Sequence, residues 1–297
     1  MSQDSICYLS GKYLPKSQAT LPVEERGLLF AEGVYEVVRT YAGQLYEMQP
    51  HLDRLQRSLN KTGMTAPKDL DQLTAISEKL VAENNLPESL VYIQITRGAG
   101  PRTVRSYEGL VPNTLVVVYP TTTFDEAADM PSKTLALVPD IRWHMCDTKT
   151  IMLMPNIAAG NQATALGADD ALMHRNKIVT EGTAANAFAI KNGELFTHPA
   201  DNHILHGITR ATVIRLAREN GFTVNETALT TEQFLDADEV FLSGTTTHVT
   251  AVTKIDGQNV GAYTENCALA DVYPIAQKLH EFFVSRIGSL IGSPQTA

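Results

Sequence analysis

The chain has 297 residues, 43% of them hydrophobic and 19% charged, with a formal net charge of −9. This is the composition of an ordinary globular protein with room for one large domain or two modest ones, and without a basic block it excludes a nucleic-acid partner. No apolar run approaches the ~20 residues that cross a bilayer, Met1 to Ser10 lack the basic and apolar parts of a signal peptide, and the odd, scattered Cys7, Cys146 and Cys267 form neither zinc spacing nor a disulfide framework. A soluble cytoplasmic protein with no membrane partner is the expectation.

Residues 5 to 14 and 33 to 48 alternate as strands, with turns at Ser10-Gly11 and Ala42-Gly43. The two-residue period of Gly33 to Tyr41 sets Tyr35, Val37 and Arg39 on one face and Val34, Glu36 and Val38 on the other. A tyrosine and an arginine sharing a face could line an anion pocket; equally, the arginine could face solvent. His51 to Asn60 reads as a helix with a buried stripe of Leu52, Leu55 and Leu59. Arg54 lies roughly 200° round from Leu52, off that stripe, where it could meet solvent, a carboxylate or a phosphate. A second amphipathic helix spans Asp69 to Asn85 on Leu70, Leu73, Ile76 and Leu80. Leu90 to Thr96 and Leu115 to Tyr119 are strands. The loop between them, Arg97 to Arg105, carries three arginines suited either to bidentate carboxylate recognition or simply to a solvated loop. The polar, aperiodic stretch from Pro120 to Met130 is the expected linker. It divides a small N-terminal α/β domain (1–120) from a larger C-terminal domain (130–297) across residues 121–129.

Thr134 to Pro139 reads as a strand leading to Trp143 and Lys149, and Ile151 to Leu166 as an alanine-rich helix stopped by Gly167. Ala171 to His174, Ala187 to Ile190 and Leu195 to His198 are strands. Gly207-Ile208-Thr209-Arg210 opens a helix, whose free N–H groups and positive dipole end can seat an anion, though a threonine there is often a plain cap. The strand Glu239 to Leu242 runs into Ser243-Gly244-Thr245-Thr246-Thr247, a second turn rich in hydroxyls and N–H groups. Neither GxGxxG after a strand nor a Walker lysine pattern occurs, so a dinucleotide or nucleoside triphosphate is disfavoured. The last helix is expected from about Asp271 to Ile287, with a loose tail after Gly292.

The chemistry concentrates in residues 147 to 186. Lys149 precedes the apolar run Ile151 to Met154, and Glu181 sits in a small-residue turn before Ala187 to Ile190. Singly, each has an ordinary explanation: a lysine stem lying on the core, a Glu-Gly turn. Together a primary amine and a carboxylate, both placed where burial is expected, suit pyridoxal phosphate. The amine can join its aldehyde, and the carboxylate can hold its pyridine nitrogen protonated. Two hydroxyl-rich turns and a free arginine would hold its phosphate.

With Lys149, Glu181, Gly207-Ile208-Thr209-Arg210 and Thr245-Thr246 in that order, the chain resembles the fold-type IV pyridoxal-phosphate enzymes from about Gly27 to Phe283. Within them it looks most like the D-amino-acid transaminases, on Glu32 to Val38, His51 to Leu55, Gln94 to Gly98, Asp140 to Trp143, His174 to Asn176 and Thr197 to Ala200. The resemblance implies a mixed α/β protein of two domains, the larger with a mixed, barrel-like sheet, assembled as a homodimer with the cofactor between the domains. Lys149 would bond to pyridoxal 5'-phosphate and shuttle the substrate proton, and Glu181 would pair with the ring nitrogen. Leu205 would pack on the ring. Arg54, the N–H groups of Ile208 and Thr209, and the hydroxyls of Thr209 and Thr245 would hold the phosphate. Tyr35 and Arg102, with Arg39 and the turn at Thr246, would bind the substrate carboxylate. The implied reaction is ping-pong transamination from a D-amino acid such as D-alanine to a 2-oxo acid such as 2-oxoglutarate. An L-branched-chain aminotransferase or an aminodeoxychorismate lyase on the same fold is the alternative. One position departs from the D-amino-acid pattern. There an arginine is followed two residues on by a histidine, whereas here Arg102 is followed by Val104 and then Arg105.

Overall fold

A computed structural model describes residues 4–105, 108–125 and 127–292. The expected tail after Gly292 and the outermost parts of the two expected domains therefore lie outside the described residues. The chain divides into two compact units. The first runs up to Phe124 and takes in the separate segment Thr148–Met152; the second holds Asp125–Asp147 and continues from Leu153.

In the first unit the described elements are β1 (Ile6–Leu9), β2 (Lys12–Pro15), α1 (Arg26–Phe30), β3 (Gly33–Tyr41), β4 (Gln44–Leu45), α2 (Met48–Lys61), α3 (Leu73–Glu83), β5 (Ser89–Thr96) and β6 (Asn113–Pro120). The strands form one antiparallel sheet in the order β2-β1-β6-β5-β3-β4. Alternation decides which face is dry. Val34 and Val38 of β3, Val91, Ile93 and Ile95 of β5, and Val116 and Val118 of β6 turn to one side. There they bury Leu55 and Leu59 of α2 and Leu73, Ile76 and Leu80 of α3. Each such fully buried side chain stabilises the unit by roughly 1.5–3 kcal/mol. Glu36 lies on this same dry face and is fully buried, so it requires a partner.

The second unit adds β7 (Ser132–Pro139), α4 (Met154–Ala165), β8 (Asp170–Arg175), β9 (Ile178–Gly182), β10 (Asn186–Lys191), β11 (Glu194–Thr197), α5 (Ile208–Glu219), β12 (Val224–Glu226), α6 (Thr231–Leu235), β13 (Glu239–Gly244), β14 (His248–Ile255), β15 (Gln258–Asn259), α7 (Leu269–Val272) and α8 (Pro274–Gly292). Its sheet runs β12-β11-β10-β13-β14-β7-β8-β9, with β15 paired to β14. The β11–β12, β14–β7 and β7–β8 pairs are parallel and the others antiparallel. This is the mixed, half-barrel sheet of the expected α/β class. Small side chains let α4 lie close on the sheet, Ala159 and Ala163 against Ala136, Ala171 and Met173. Phe188 and Phe241 stack across β10 and β13 at 4.7 Å. No helix among the described residues is long and apolar enough to cross a membrane.

Three expectations are corrected. The helix expected from Ile151 begins at Met154, because Thr150 bridges to Val34 and the Ile151 N–H donates to Gly33 O (3.1 Å). Those backbone groups are thereby committed to a strand, and Pro155 then suits the first helical turn. Glu181 lies on strand β9 rather than in a turn. The last helix breaks at Pro274, which has no N–H to continue α7.

Candidate active site

In the first unit Lys149 is fixed by its backbone. Its carbonyl accepts from the Tyr35 N–H (3.0 Å) and its own N–H donates to Ser58 Oγ (3.2 Å). The side chain returns over strand β3, placing Nζ 4.4 Å from the Tyr35 ring centroid. Tyr35 in turn packs on Tyr92 (5.6 Å), whose hydroxyl donates to Gln94 Oε1 at 2.6 Å. Burial and the neighbouring tyrosines push the Tyr92 phenol up to about 12, so it stays a neutral donor.

Arg54 is not turned to solvent. It is buried, and its Nε and Nη2 grip Glu36 in a fork with both distances 2.7 Å. His51 Nδ1 shares the Glu36 carboxylate, also at 2.7 Å. Burial pushes Glu36 up, but the Arg54 charge and the bonds from Arg54 and His51 outweigh it and hold the carboxyl at about 2. Arg39 likewise has structural attachments: its Nη2 donates to Thr122 O (3.0 Å) and its guanidinium lies 4.9 Å from the Tyr41 ring centre.

The arginine loop is moored at its base. Buried Arg26 donates through Nη1 to Pro101 O (2.9 Å) and Thr103 O (3.0 Å), and Glu25 Oε1 accepts from the Gly98 N–H (3.2 Å). Gly98 has φ +100°, and a Cβ there would meet Val111 O at 2.0 Å, so no larger residue fits. Arg102, Val104 and Arg105 are exposed beyond these moorings, Val104 to 93%.

In the second unit Glu181 is the centre of a buried polar network. Its carboxylate accepts from Arg142 Nη1 (2.5 Å), Asn186 Nδ2 (2.8 Å) and the Leu205 N–H (3.1 Å). Arg142 also forks onto Asp140 (3.0 and 2.8 Å), which Arg175 Nε approaches at 3.2 Å. Burial raises the Glu181 carboxyl above its ordinary value, with Arg142 opposing. Asp140 is held well below the carboxylate range, because the bonds and charge of Arg142 outweigh its burial. The Glu181–Leu205 bond places residue 205 beside the carboxylate, and Asn186 Nδ2 also donates to Leu205 O (2.8 Å).

Helix α5 starts at Ile208 behind Gly207, with no side chain capping it, so the first-turn N–H groups of Ile208 and Thr209 have no capping side chain. A Cβ at Gly207 would strike Asn186 Oδ1 at 2.1 Å; the close approach requires glycine. The turn Thr245 to Thr247 joins β13 to β14 as a three-residue hairpin. Ser243 Oγ and Thr247 Oγ1 there are buried without a hydrogen-bond partner. Thr245 is half-buried and Thr246 exposed.

These features fit pyridoxal 5'-phosphate. A buried carboxylate suits a protonated ring nitrogen, orphaned buried hydroxyls and an uncapped helix start suit a phosphate, and the amine of Lys149 suits an aldehyde. Within the first unit the structure brings together Lys149 and Tyr35, and within the second Glu181 and Leu205. Sequence reasoning gave no role to Glu36, His51, Asp140, Arg142 or Asn186. A glutamate on a dry strand face was the signal for the first pair, and the alternation of acid and base in Asp140-Ile141-Arg142 for the second.

The amino-transferase class IV family matches residues 33–255. A D-alanine aminotransferase of Listeria monocytogenes serotype 4b (strain F2365) is 39% identical over 284 residues, 95% of this chain and 96% of the relative. One from Staphylococcus aureus (strain MSSA476) is 35% identical over 284 residues, 95% and 98% of the two chains. Among solved structures, the branched-chain aminotransferase of Thermoproteus uzoniensis with norvaline is 26% identical with a TM-score of 0.84, covering 95% of this chain and 94% of that one. The branched-chain amino acid aminotransferase of Escherichia coli, 24% identical with a TM-score of 0.84 over 94% and 93% of the chains, shares the fold. Pyridoxal 5'-phosphate is the cofactor of this group, and the chain belongs to the class IV amino-transferases.

Proposed function

We propose that this aminotransferase takes the amino group of a small D-amino acid such as D-alanine and passes it, in a ping-pong reaction, to a 2-oxo acid such as 2-oxoglutarate. The observation that carries the reading is the 39% identity to a D-alanine aminotransferase over 95% of the chain. When bound, the cofactor supplies a carbon that accepts the amine and a ring that accepts electron density from the substrate Cα. The chain supplies the rest. Lys149 Nζ takes the proton from Cα of the amino donor and, in the second half-reaction, gives one to the corresponding carbon of the 2-oxo acid. Glu181 keeps the ring nitrogen charged, and Arg142 and Asn186 keep Glu181 in place. Leu205 covers the ring. The N–H groups of Ile208 and Thr209 and the hydroxyls of Thr209 and Thr245 bind the phosphate. Arg54 joins that phosphate set by sharing its donors with Glu36. Tyr35 and Arg102 take the substrate carboxylate, aided by Thr246 and Arg39.

We also infer a cytoplasmic homodimer. The exposure of Met154 (74%), Ile141 (69%) and Ile157 (56%) supports self-association, and light scattering at twice the chain mass tests it. A second reading, an L-branched-chain aminotransferase, is favoured by the likeness to the Thermoproteus uzoniensis structure and by Val104 at the place of the expected histidine. Assaying D-alanine and L-leucine side by side with 2-oxoglutarate separates the two: turnover of L-leucine alone overturns the D assignment.

A further inference from the structure

The loop that follows β11 holds a cluster that the transamination chemistry does not use. His198, Asp201 and His203 bring three potential ligand atoms within 4.8 Å of one another. Two imidazoles and one carboxylate form a nitrogen-rich set of the kind zinc takes, with bonds near 2.0–2.2 Å. A tetrahedron with such bonds has edges of about 3.4 Å. Asp201 already stands 3.3 Å from His203 Nδ1 through Oδ2 and 3.7 Å from His198 Nδ1 through Oδ1, and closing the widest separation from 4.8 Å to such an edge takes about 1.4 Å.

The backbone beneath them is fixed on both sides. Arg210 Nη2 holds His198 O (2.7 Å), the His203 N–H donates to Asp201 Oδ1 (2.8 Å), and His206 Nε2 contacts Asp201 O (3.0 Å). Asn202 is tied to the segment before Lys149, its Nδ2 donating to His144 O (2.9 Å) and its carbonyl accepting from the Cys146 N–H (3.0 Å). His198 is buried, while Asp201 and His203 are half-exposed. The cluster therefore has a fixed floor and an open mouth for an ion and a water. His198 Nδ1 contacts Pro199 O at 3.0 Å, a bond given up if that nitrogen becomes the ligand.

We propose that His198, Asp201 and His203 bind one zinc-class divalent ion, which clamps the loop leading to Leu205. The same loop presents His203 O to Arg142 (3.3 Å) and the Leu205 N–H to Glu181 (3.1 Å), so an ion here would stiffen both attachments of the Glu181 network. Magnesium, which prefers oxygen ligands in an octahedron, should not substitute.

The test uses the untagged, cofactor-loaded protein, dialysed against buffered Zn2+ at pH 7.5, with bound metal counted by elemental analysis and Tm followed in parallel. The expected result is about one Zn2+ per chain and a Tm raised by zinc but not by magnesium. The variants His203→Asn and Asp201→Asn change half-exposed side chains and leave the cofactor in place, so metal held by the cofactor itself would persist in them. Both should weaken zinc by more than about tenfold, the loss that even an outer-shell change can cause, and should lose the Tm response. Wild-type protein without zinc at roughly 100-fold molar excess, or variants binding as the wild type does, would overturn the site.

Discussion

Replacing Arg142 with methionine removes one positive charge from a buried group of four ionised side chains. Asp140 and Glu181 are balanced by Arg142 and Arg175. After the change Asp140 keeps Arg175 Nε (3.2 Å) and the Thr180 hydroxyl (3.0 Å). Glu181 keeps the neutral donors Asn186 Nδ2 and the Leu205 N–H, at 2.8 and 3.1 Å. Removing one partner of a buried pair typically costs about 3–5 kcal/mol, because the other charge is left without compensation. At roughly 2–4 °C per kcal/mol for a domain of this size, the expected fall in Tm is about 6–20 °C at pH 8. The pH dependence gives a sharper check. Burial already raises the folded-state value of Glu181 above the ordinary one, and without Arg142 it rises further. A raised carboxyl binds its proton more tightly in the folded than in the unfolded chain, so stability is lost as pH climbs from the unfolded value to the folded one. The deficit of the variant should therefore shrink as pH falls from 8 and Glu181 takes up its proton. Combining the change with Glu181→Gln should recover most of the stability lost at pH 8, a coupling that a double-mutant cycle measures. A deficit below about 1 kcal/mol, one that grows toward acid, or strict additivity in the cycle would refute the assignment of Arg142 as the counter-charge of Glu181.

Lys149→Ala should abolish turnover of D-alanine with 2-oxoglutarate and the near-visible band of the cofactor-loaded enzyme; retained turnover removes Lys149 from the chemistry. Arg102→Ala should raise KM for both carboxylate substrates about tenfold or more, the weight of a charge-assisted hydrogen bond, with Tm unchanged because the side chain is exposed. An unchanged KM moves recognition to Arg105, Arg39 or the turn at Thr246. Glu36 is held at about 2 against an ordinary 4.5, so its contribution is complete above pH 4.5 and lost as pH falls toward 2. Glu36→Gln should lower stability at pH 7 by about 3 kcal/mol and flatten that acid limb, as followed by urea unfolding between pH 2 and 7. A limb unchanged in the variant would assign the acid loss to another group.

Local patterns carried the elements whose cause is local. The alternation in Gly33 to Tyr41 and the leucine spacing of α2 were readable because one face of each is dry. What escaped depends on partners far along the chain. Arg54 lay off the helix stripe, which left solvent, a carboxylate or a phosphate open; Glu36, 18 residues earlier, is the carboxylate that draws it inward. The helix at Ile151 was placed early because composition carries no trace of the Thr150 bridge to Val34. The small residues after Glu181 resembled a turn and obscured the strand before them, whose register against β8 shifts between Leu172 and His174. Strand β14 was legible and was missed: Val249, Ala251 and Thr253 alternate with Thr250, Val252 and Lys254 directly after the threonine turn. The weight on Lys149 and Glu181 came from their chemistry as a pair and from the resemblance. The hydrogen bonds around Glu181 join residues 142, 186 and 205, too far apart in the chain for any local pattern to show them.

The arginine loop shows why a substituted recognition residue need not disturb the scaffold. Among the described residues, several moorings that set its path do not involve the residue 104 side chain: the Arg26 fork on the Pro101 and Thr103 carbonyls, the Glu25 carboxylate on the Gly98 N–H, and the left-handed Gly98 against Val111 O. Val104, at 93% exposure, is not part of that support. A histidine or a valine there therefore leaves the loop in the same place, and exchanging one for the other costs little stability. What changes is the chemistry offered to a carboxylate. The imidazole donor is gone, and the guanidiniums of Arg102 and Arg105 remain as the charged groups of the loop's exposed end. Two guanidiniums can each bind a carboxylate through paired N–H groups. Charge recognition by the loop therefore does not require the expected histidine, and the side-by-side assay of D-alanine and L-leucine in Arg102→Ala and Arg105→Ala tests whether either arginine takes the α-carboxylate.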